Sequence, residues 1–137
     1  MKSILLVAHG SRRQASNDEV RALAERMRED LDADTLIETA FLELAEPSIP
    51  DGIQACIDKG AEQVTVLPYF LSAGRHVAED IPAEVKIKQD EHPNIDIHIS
   101  DYLGSADTLR GTLAGLAEQC SRCPHRGEQA GCCRLNQ

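Results

Sequence analysis

Ile4-Leu5-Leu6-Val7-Ala8-His9-Gly10-Ser11-Arg12 is the stretch that decides the architecture. An apolar run without polar alternation reads as a strand covered on both faces, and the break into His9-Gly10 marks where that strand leaves its sheet. Just downstream, Ser16-Asn17-Asp18-Glu19 has the form of a capping box, and Val20, Leu23, Met27 and Leu31 recur at helical spacing among charged residues. A one-sided surface helix is expected there. The alternation then repeats along the chain. Leu36 to Leu44 reads as a second strand, and Ser48 caps a helix whose apolar stripe of Ile49, Ile53, Cys56 and Ile57 is stopped by Gly60. Val64-Thr65-Val66-Leu67 is a third strand, running through Pro68-Tyr69-Phe70-Leu71 into a loop with Gly74. A helix from about His76 to Glu91 comes next, with an interruption expected at Pro82. Ile95, Ile97 and Ile99 alternate with Asp96, His98 and Ser100, the period of a half-buried outer strand. A last helix carries Leu109, Leu113 and Leu116. Strands alternating with helices predict the α/β class, as a three-layer sandwich around a central parallel sheet of about four strands.

Over the whole chain, 137 residues with 42% hydrophobic and 27% charged side chains exclude a disordered chain and suit one domain with a sizeable core. No apolar run approaches the ~20 residues of a membrane span, and the run after Met1 is too short for a signal peptide, so a cytoplasmic protein without a membrane partner is expected. The net charge of −9 and the lack of a basic stripe argue against nucleic acid as a partner. Residues 120–137 hold Arg122, Arg126 and Arg134 against Glu128 alone, together with Cys120, Cys123, Cys132 and Cys133. The shift in composition predicts a domain over residues 1–119 and a Cys-rich tail over residues 120–137. A cluster confined to a tail is no disulfide framework, and Cys56 belongs to the buried helical stripe.

In parallel α/β sheets ligands bind beyond the carboxyl ends of the strands. His9 follows the first strand, Glu43 lies near the end of the second, and His76 lies beyond the third, after the Gly74 loop. Two imidazoles and a carboxylate converging on one sheet edge suit a divalent first-row metal, with open positions left for a substrate. Each residue also has a plainer reading: His9 as a cap, Glu43 as a solvated strand end, and His76 paired with Asp80 one helical turn on. His92 and His98 read as solvated structural residues, and the low aromatic content of 3% makes Tyr69 and Phe70 core or pocket wall.

Leu5-Leu6-Val7-Ala8-His9-Gly10-Ser11-Arg12, Phe41-Leu42-Glu43-Leu44-Ala45-Glu46-Pro47-Ser48, Leu67-Pro68-Tyr69-Phe70-Leu71, Gly74-Arg75-His76 and Asp80-Ile81-Pro82 closely resemble the short-form sirohydrochlorin chelatases, the CbiX or SirB family of class II chelatases. The resemblance covers residues 3 to about 117. It implies a chelatase-like fold, a homodimer, and ATP-independent insertion of cobalt or ferrous iron into sirohydrochlorin on the way to cobalamin or siroheme. It also implies that His9 and His76 are the metal-binding and proton-accepting pair, with Glu43 as a further metal or acid-base group. The chemistry fits: a metal must shed ligands, pyrrole protons must leave, and an imidazole can take a proton or hold the ion. Sirohydrochlorin is a polycarboxylate, so an acidic body needs local donors. Ser11 and Arg12, in the loop before the first helix, and Arg75 beside His76 are the candidates, with Arg13 a weaker one and Leu71 as apolar contact.

Four thiols with neighbouring arginines suit Zn2+ or an iron–sulfur cluster, so Cys120, Cys123, Cys132 and Cys133 are expected to form an accessory site. A phosphate-handling enzyme with a strand-end His-Gly would place an arginine before the histidine, where Ala8 stands. A metal chaperone or tetrapyrrole-binding protein would use the same histidines without turnover and is the alternative.

Overall fold

The structure is a computed structural model that describes residues 1–121. Four parallel strands form its sheet: β1 (Lys2–Ala8), β2 (Leu36–Phe41), β3 (Gln63–Pro68) and β4 (Asp96–Ile99), in the order β2-β1-β3-β4. β1 is therefore central, paired with β2 from Ser3↔Leu36 to Ala8↔Phe41 and with β3 from Lys2↔Gln63 to Val7↔Pro68. Its apolar run is buried because helices cover both faces. On one face Leu5, Val7, Val64 and Val66 pack with Ile49, Ile53 and Cys56 of α2 (Ile49–Asp58) and Ile81 and Val85 of α3 (Ile81–Glu91). On the other, Leu6 and Ile37 meet Val20, Leu23, Ala24 and Met27 of α1 (Gln14–Met27) and the following Leu31. The three-layer α/β sandwich is thus present, and truncating a core Leu or Ile to Ala would cost about 2–5 kcal/mol. β4 is an outer strand with Ile97 turned into the core.

Two local expectations change. The helix after β1 begins at Gln14, with Arg13 as N-cap and no side-chain cap, so the Ser16–Glu19 capping box does not form. Asn17 is instead buried and tied to the preceding loop: its Oδ1 accepts from the Ser11 N–H at 2.9 Å and its Nδ2 donates to the Ser11 carbonyl at 2.8 Å. These two bonds fix the loop over the first turn and draw the helix start forward. β2 ends at Phe41 rather than Leu44; Leu42 and Glu43 still bond to the chain after β1, and Leu44 takes a positive φ of 66°. The interruption expected at Pro82 is present, just ahead of it. His76–Asp80 form a π-helical turn and α3 begins at Ile81, with Pro82 in its first turn. Proline lacks an N–H, and its ring crowds the carbonyl four residues back, so a widened turn ahead of it removes the conflict.

The cap and stop of α2 follow the sequence. The Ser48 hydroxyl accepts from the Asp51 N–H at 3.2 Å, and Gly60 takes a φ of 101° beyond the helix end. Burial pushes the Cys56 thiol above its ordinary range, with a hydrogen bond to Ser3 offsetting part of the effect. Residues up to Ser105 form one compact unit, and a second begins at Ala106. In the second, α4 (Leu109–Ser121) carries Leu113 and Leu116 as exposed apolar residues. No described helix is long and apolar enough to cross a membrane.

Candidate active site

Strand order is what brings the polar groups together. Because β1 lies between β2 and β3, the residue that follows it has the ends of both neighbours beside it. The β1–β2 ladder continues past the strands: Leu42 N–H donates to the Ala8 carbonyl and Glu43 N–H to the His9 carbonyl, both at 3.0 Å. His9 and Glu43 are thereby held side by side, with His9 Nε2 3.2 Å from Glu43 Oε1. Gly10 makes this approach possible. Its φ is 96°, and a Cβ there would lie 1.8 Å from the Glu43 carbonyl oxygen, so no other residue fits.

His76 comes from the far side of β3. Its ring meets that of His9 edge-on, with centroids 4.8 Å apart and planes at 64°. The structure therefore brings His9, Glu43 and His76 to one edge, as their strand-end positions suggest. The two imidazoles are held differently. His9 Nδ1 lies 3.1 Å from the Gly10 carbonyl while Nε2 faces Glu43. Carbonyl and carboxylate only accept, so both contacts are hydrogen bonds together only when the ring carries two protons. His76 Nδ1 lies 2.8 Å from Asp80 Oδ2, and Nε2 has no hydrogen-bond partner among the described residues. The pairing of His76 with Asp80, one of the plainer readings, thus exists alongside the convergence with His9.

A cleft of about 190 Å³ is lined by Leu42, Glu43, His76, Asp80, Ala83 and Glu84. Asp80 and Glu84 follow His76 at four-residue steps; that helical spacing was available in the sequence as a signal for both. A larger hollow of about 360 Å³ lies at the opposite end of the sheet, beside Lys2, Asp30, Asp32 and Gln63. It has neither an imidazole nor a thiol in its lining, so the smaller cleft is the chemically equipped one.

Of the other expected contacts, Ser11 is half-buried and its hydroxyl accepts from the Arg13 N–H at 3.0 Å. Arg12 is exposed and without an ion-pair partner among the described residues; Arg75 is exposed, 3.7 Å from Glu79. Leu71 is 72% exposed, and Leu44 and Tyr69 are also exposed beyond the ends of β2 and β3. His92 and His98 have structural partners, Gln54 for the first and Thr65 and Asp96 for the second. Cys120 is exposed near the end of α4, while Cys123, Cys132 and Cys133 lie outside the described residues. Among the described residues no group of three or more His, Cys, Asp or Glu side chains stands close enough together to hold a metal ion, so His9, Glu43 and His76 meet as neighbours and not as a preformed metal site.

The family profile described as CbiX matches residues 3–119. A sirohydrochlorin cobaltochelatase from Priestia megaterium is 40% identical over 95 residues, 69% of this chain and 30% of that protein. The crystal structure of a CbiX protein from Marinobacter aquaeolei superposes with a TM-score of 0.72 at 32% identity, covering 86% of this chain and 95% of the other. The sirohydrochlorin chelatase SirB from Bacillus subtilis, solved in complex with cobalt, superposes with a TM-score of 0.77 at 32% identity, over 86% of this chain and 50% of SirB. The chain spans 30%, 39% and 52% of three of the curated relatives it matches, about a third to a half of their length. A profile match across the whole sandwich, joined to these superpositions, shows that the chain belongs to the CbiX family.

Proposed function

We propose that this protein is a sirohydrochlorin chelatase, inserting Co2+ or Fe2+ into sirohydrochlorin in cobalamin or siroheme biosynthesis without ATP. The observation that carries the reading is the meeting of His9, Glu43 and His76 at the carboxyl edge of the sheet in a chain of this family. Relatives named for cobalt and for iron insertion, and SirB structures holding cobalt and Fe3+, support a metal as substrate.

The arrangement suits such a reaction. The metal must be held and then released, which an open set of two imidazoles and one carboxylate allows and a closed thiolate cage would resist. His76 presents Nε2 as a lone-pair donor, able to hold the ion or accept a pyrrole proton. His9 and Glu43 form the second acid-base pair; when the metal draws on either, the proton between them is freed to leave. The exposed Leu44, Tyr69 and Leu71 offer apolar contact to the macrocycle, and Arg12, Arg75 and the Ser11 loop serve its carboxylates.

We propose a homodimer, cytoplasmic, in which a second copy takes the place of the second half of a SirB-like chain. Cys120, Cys123, Cys132 and Cys133 act as an accessory Zn2+ or iron–sulfur element and take no part in insertion. Anaerobic time courses with sirohydrochlorin and Fe2+, Co2+ or Ni2+ test the reading by the shift in macrocycle absorbance. Turnover beyond one equivalent is expected with cobalt or iron, and to persist in a chain ending at Gln119. Stoichiometric binding without turnover would instead identify a metal chaperone or tetrapyrrole carrier.

A further inference from the structure

We infer that Asp80 is a positioning residue that sets which nitrogen of His76 meets the metal or the pyrrole proton. The inference rests on the chelatase reading for what arrives at His76, but the assignment of Asp80 rests on this chain's geometry.

Asp80 Oδ2 stands 2.8 Å from His76 Nδ1. An ionised carboxylate only accepts, so the contact keeps a proton on Nδ1 and leaves the lone pair of the neutral ring on Nε2. Nε2 is the nitrogen with no hydrogen-bond partner among the described residues, on a ring whose neighbour is His9. His9 is held differently: its Nδ1 faces a backbone carbonyl and its Nε2 faces the Glu43 carboxylate, so each nitrogen already has an acceptor beside it. The two imidazoles therefore differ in what they leave open: of the pair only His76 keeps a nitrogen without a partner among the described residues, and its other nitrogen is the one that meets Asp80.

Stability does not account for the pair. The His76 and Asp80 side chains are 47% and 42% exposed, and an ion pair so open to water adds little to folding. Local backbone form points the same way. The pair spans the π-helical turn His76–Asp80, a feature that recurs at functional sites, and both residues line the cleft shared with Glu43. A carboxylate behind a ligating imidazole fixes the ring's tautomer and orientation and raises its basicity.

The test uses the full chain with labelled histidines. Long-range 1H–15N spectra, recorded well above the imidazole titration range, give the tautomer of His76 in the wild type, Asp80→Ala and Asp80→Asn. The wild type is expected to carry the proton on Nδ1. Asp80→Ala should move it largely to Nε2, the tautomer that free imidazole side chains favour in water, and Asp80→Asn should retain Nδ1–H because its carbonyl still accepts. Co2+ added alone is then read by paramagnetic broadening of the His9 ring signals, which reports this edge and not the cysteines. Asp80→Ala should weaken Co2+ binding by about 10–100-fold, with Asp80→Asn closer to the wild type. A wild-type His76 protonated on Nε2, or equal Co2+ affinity in the wild type and Asp80→Ala, would overturn the inference. His76→Ala separates the two layers. If it binds Co2+ as the wild type does, the metal role of His76 fails; if it loses the ion while Asp80→Ala keeps it, only the role of Asp80 fails.

Discussion

Two histidines of this chain pair with aspartates in contrasting places. At the carboxyl edge, His76 uses Nδ1 for Asp80 and keeps Nε2 open beside the ring of His9. On β4, His98 uses both nitrogens: Nε2 lies 2.9 Å from the Thr65 hydroxyl on the neighbouring strand and Nδ1 lies 3.2 Å from Asp96. Residue types and hydrogen-bond lengths are similar, so composition does not separate them. What differs is the unused nitrogen and the company it keeps. His98 is a cross-strand pin on the sheet; His76 is half of a facing imidazole pair with a carboxylate within reach of its partner.

Removing each histidine in turn sets the two sites apart. The largest effect is expected at the edge: His9→Ala and His76→Ala should each lower the rate of metal insertion by about 10²–10⁴-fold, the range typical for a lost acid-base group, with the far-ultraviolet spectrum unchanged. His98→Ala, run in the same assay, should leave the rate within about twofold and act only on stability. Glu43→Gln should sit between them. The amide cannot carry the charge that supports the ion, while two imidazoles remain to hold it, so a loss of about tenfold in apparent metal affinity is expected by titration. The smallest change in atoms, Gly10→Ala, probes the backbone that holds the edge together. A methyl group pressed against the Glu43 carbonyl in a positive-φ position should destabilise the fold by about 1–3 kcal/mol in urea titrations and disturb the His9–Glu43 pair.

Much of this is legible in the sequence, for reasons that differ by region. The βα alternation is readable because burial dictates it: the run Ile4 to Ala8 and the stripe Ile49, Ile53, Cys56 leave no other period. Local ends are less readable. Ser16 and Glu19 satisfy a capping pattern, yet the Asn17 side chain engages Ser11 across the loop and moves the helix start, a contact that spacing does not encode. Leu44 carries a strand-like side chain but turns out of the ladder at a positive φ, and its side chain is left exposed beyond the sheet edge. That His9, Glu43 and His76 follow strands was visible; that they meet depends on β1 lying between β2 and β3, and strand order is a property of the whole sheet. Asp80 was visible only as a helical neighbour of His76, because its significance depends on which nitrogen the pairing leaves open.

Whether the carboxyl edge, and not the cysteines, handles the metal can be read from Co2+ titration of a chain ending at Gln119, followed in the visible d–d bands. One bound ion with nitrogen and oxygen ligands is expected, lost in His9→Ala/His76→Ala and unaffected by His98→Ala. An ion that survives removal of both edge histidines, or that disappears with His98, would contradict the assignment of the metal to this edge.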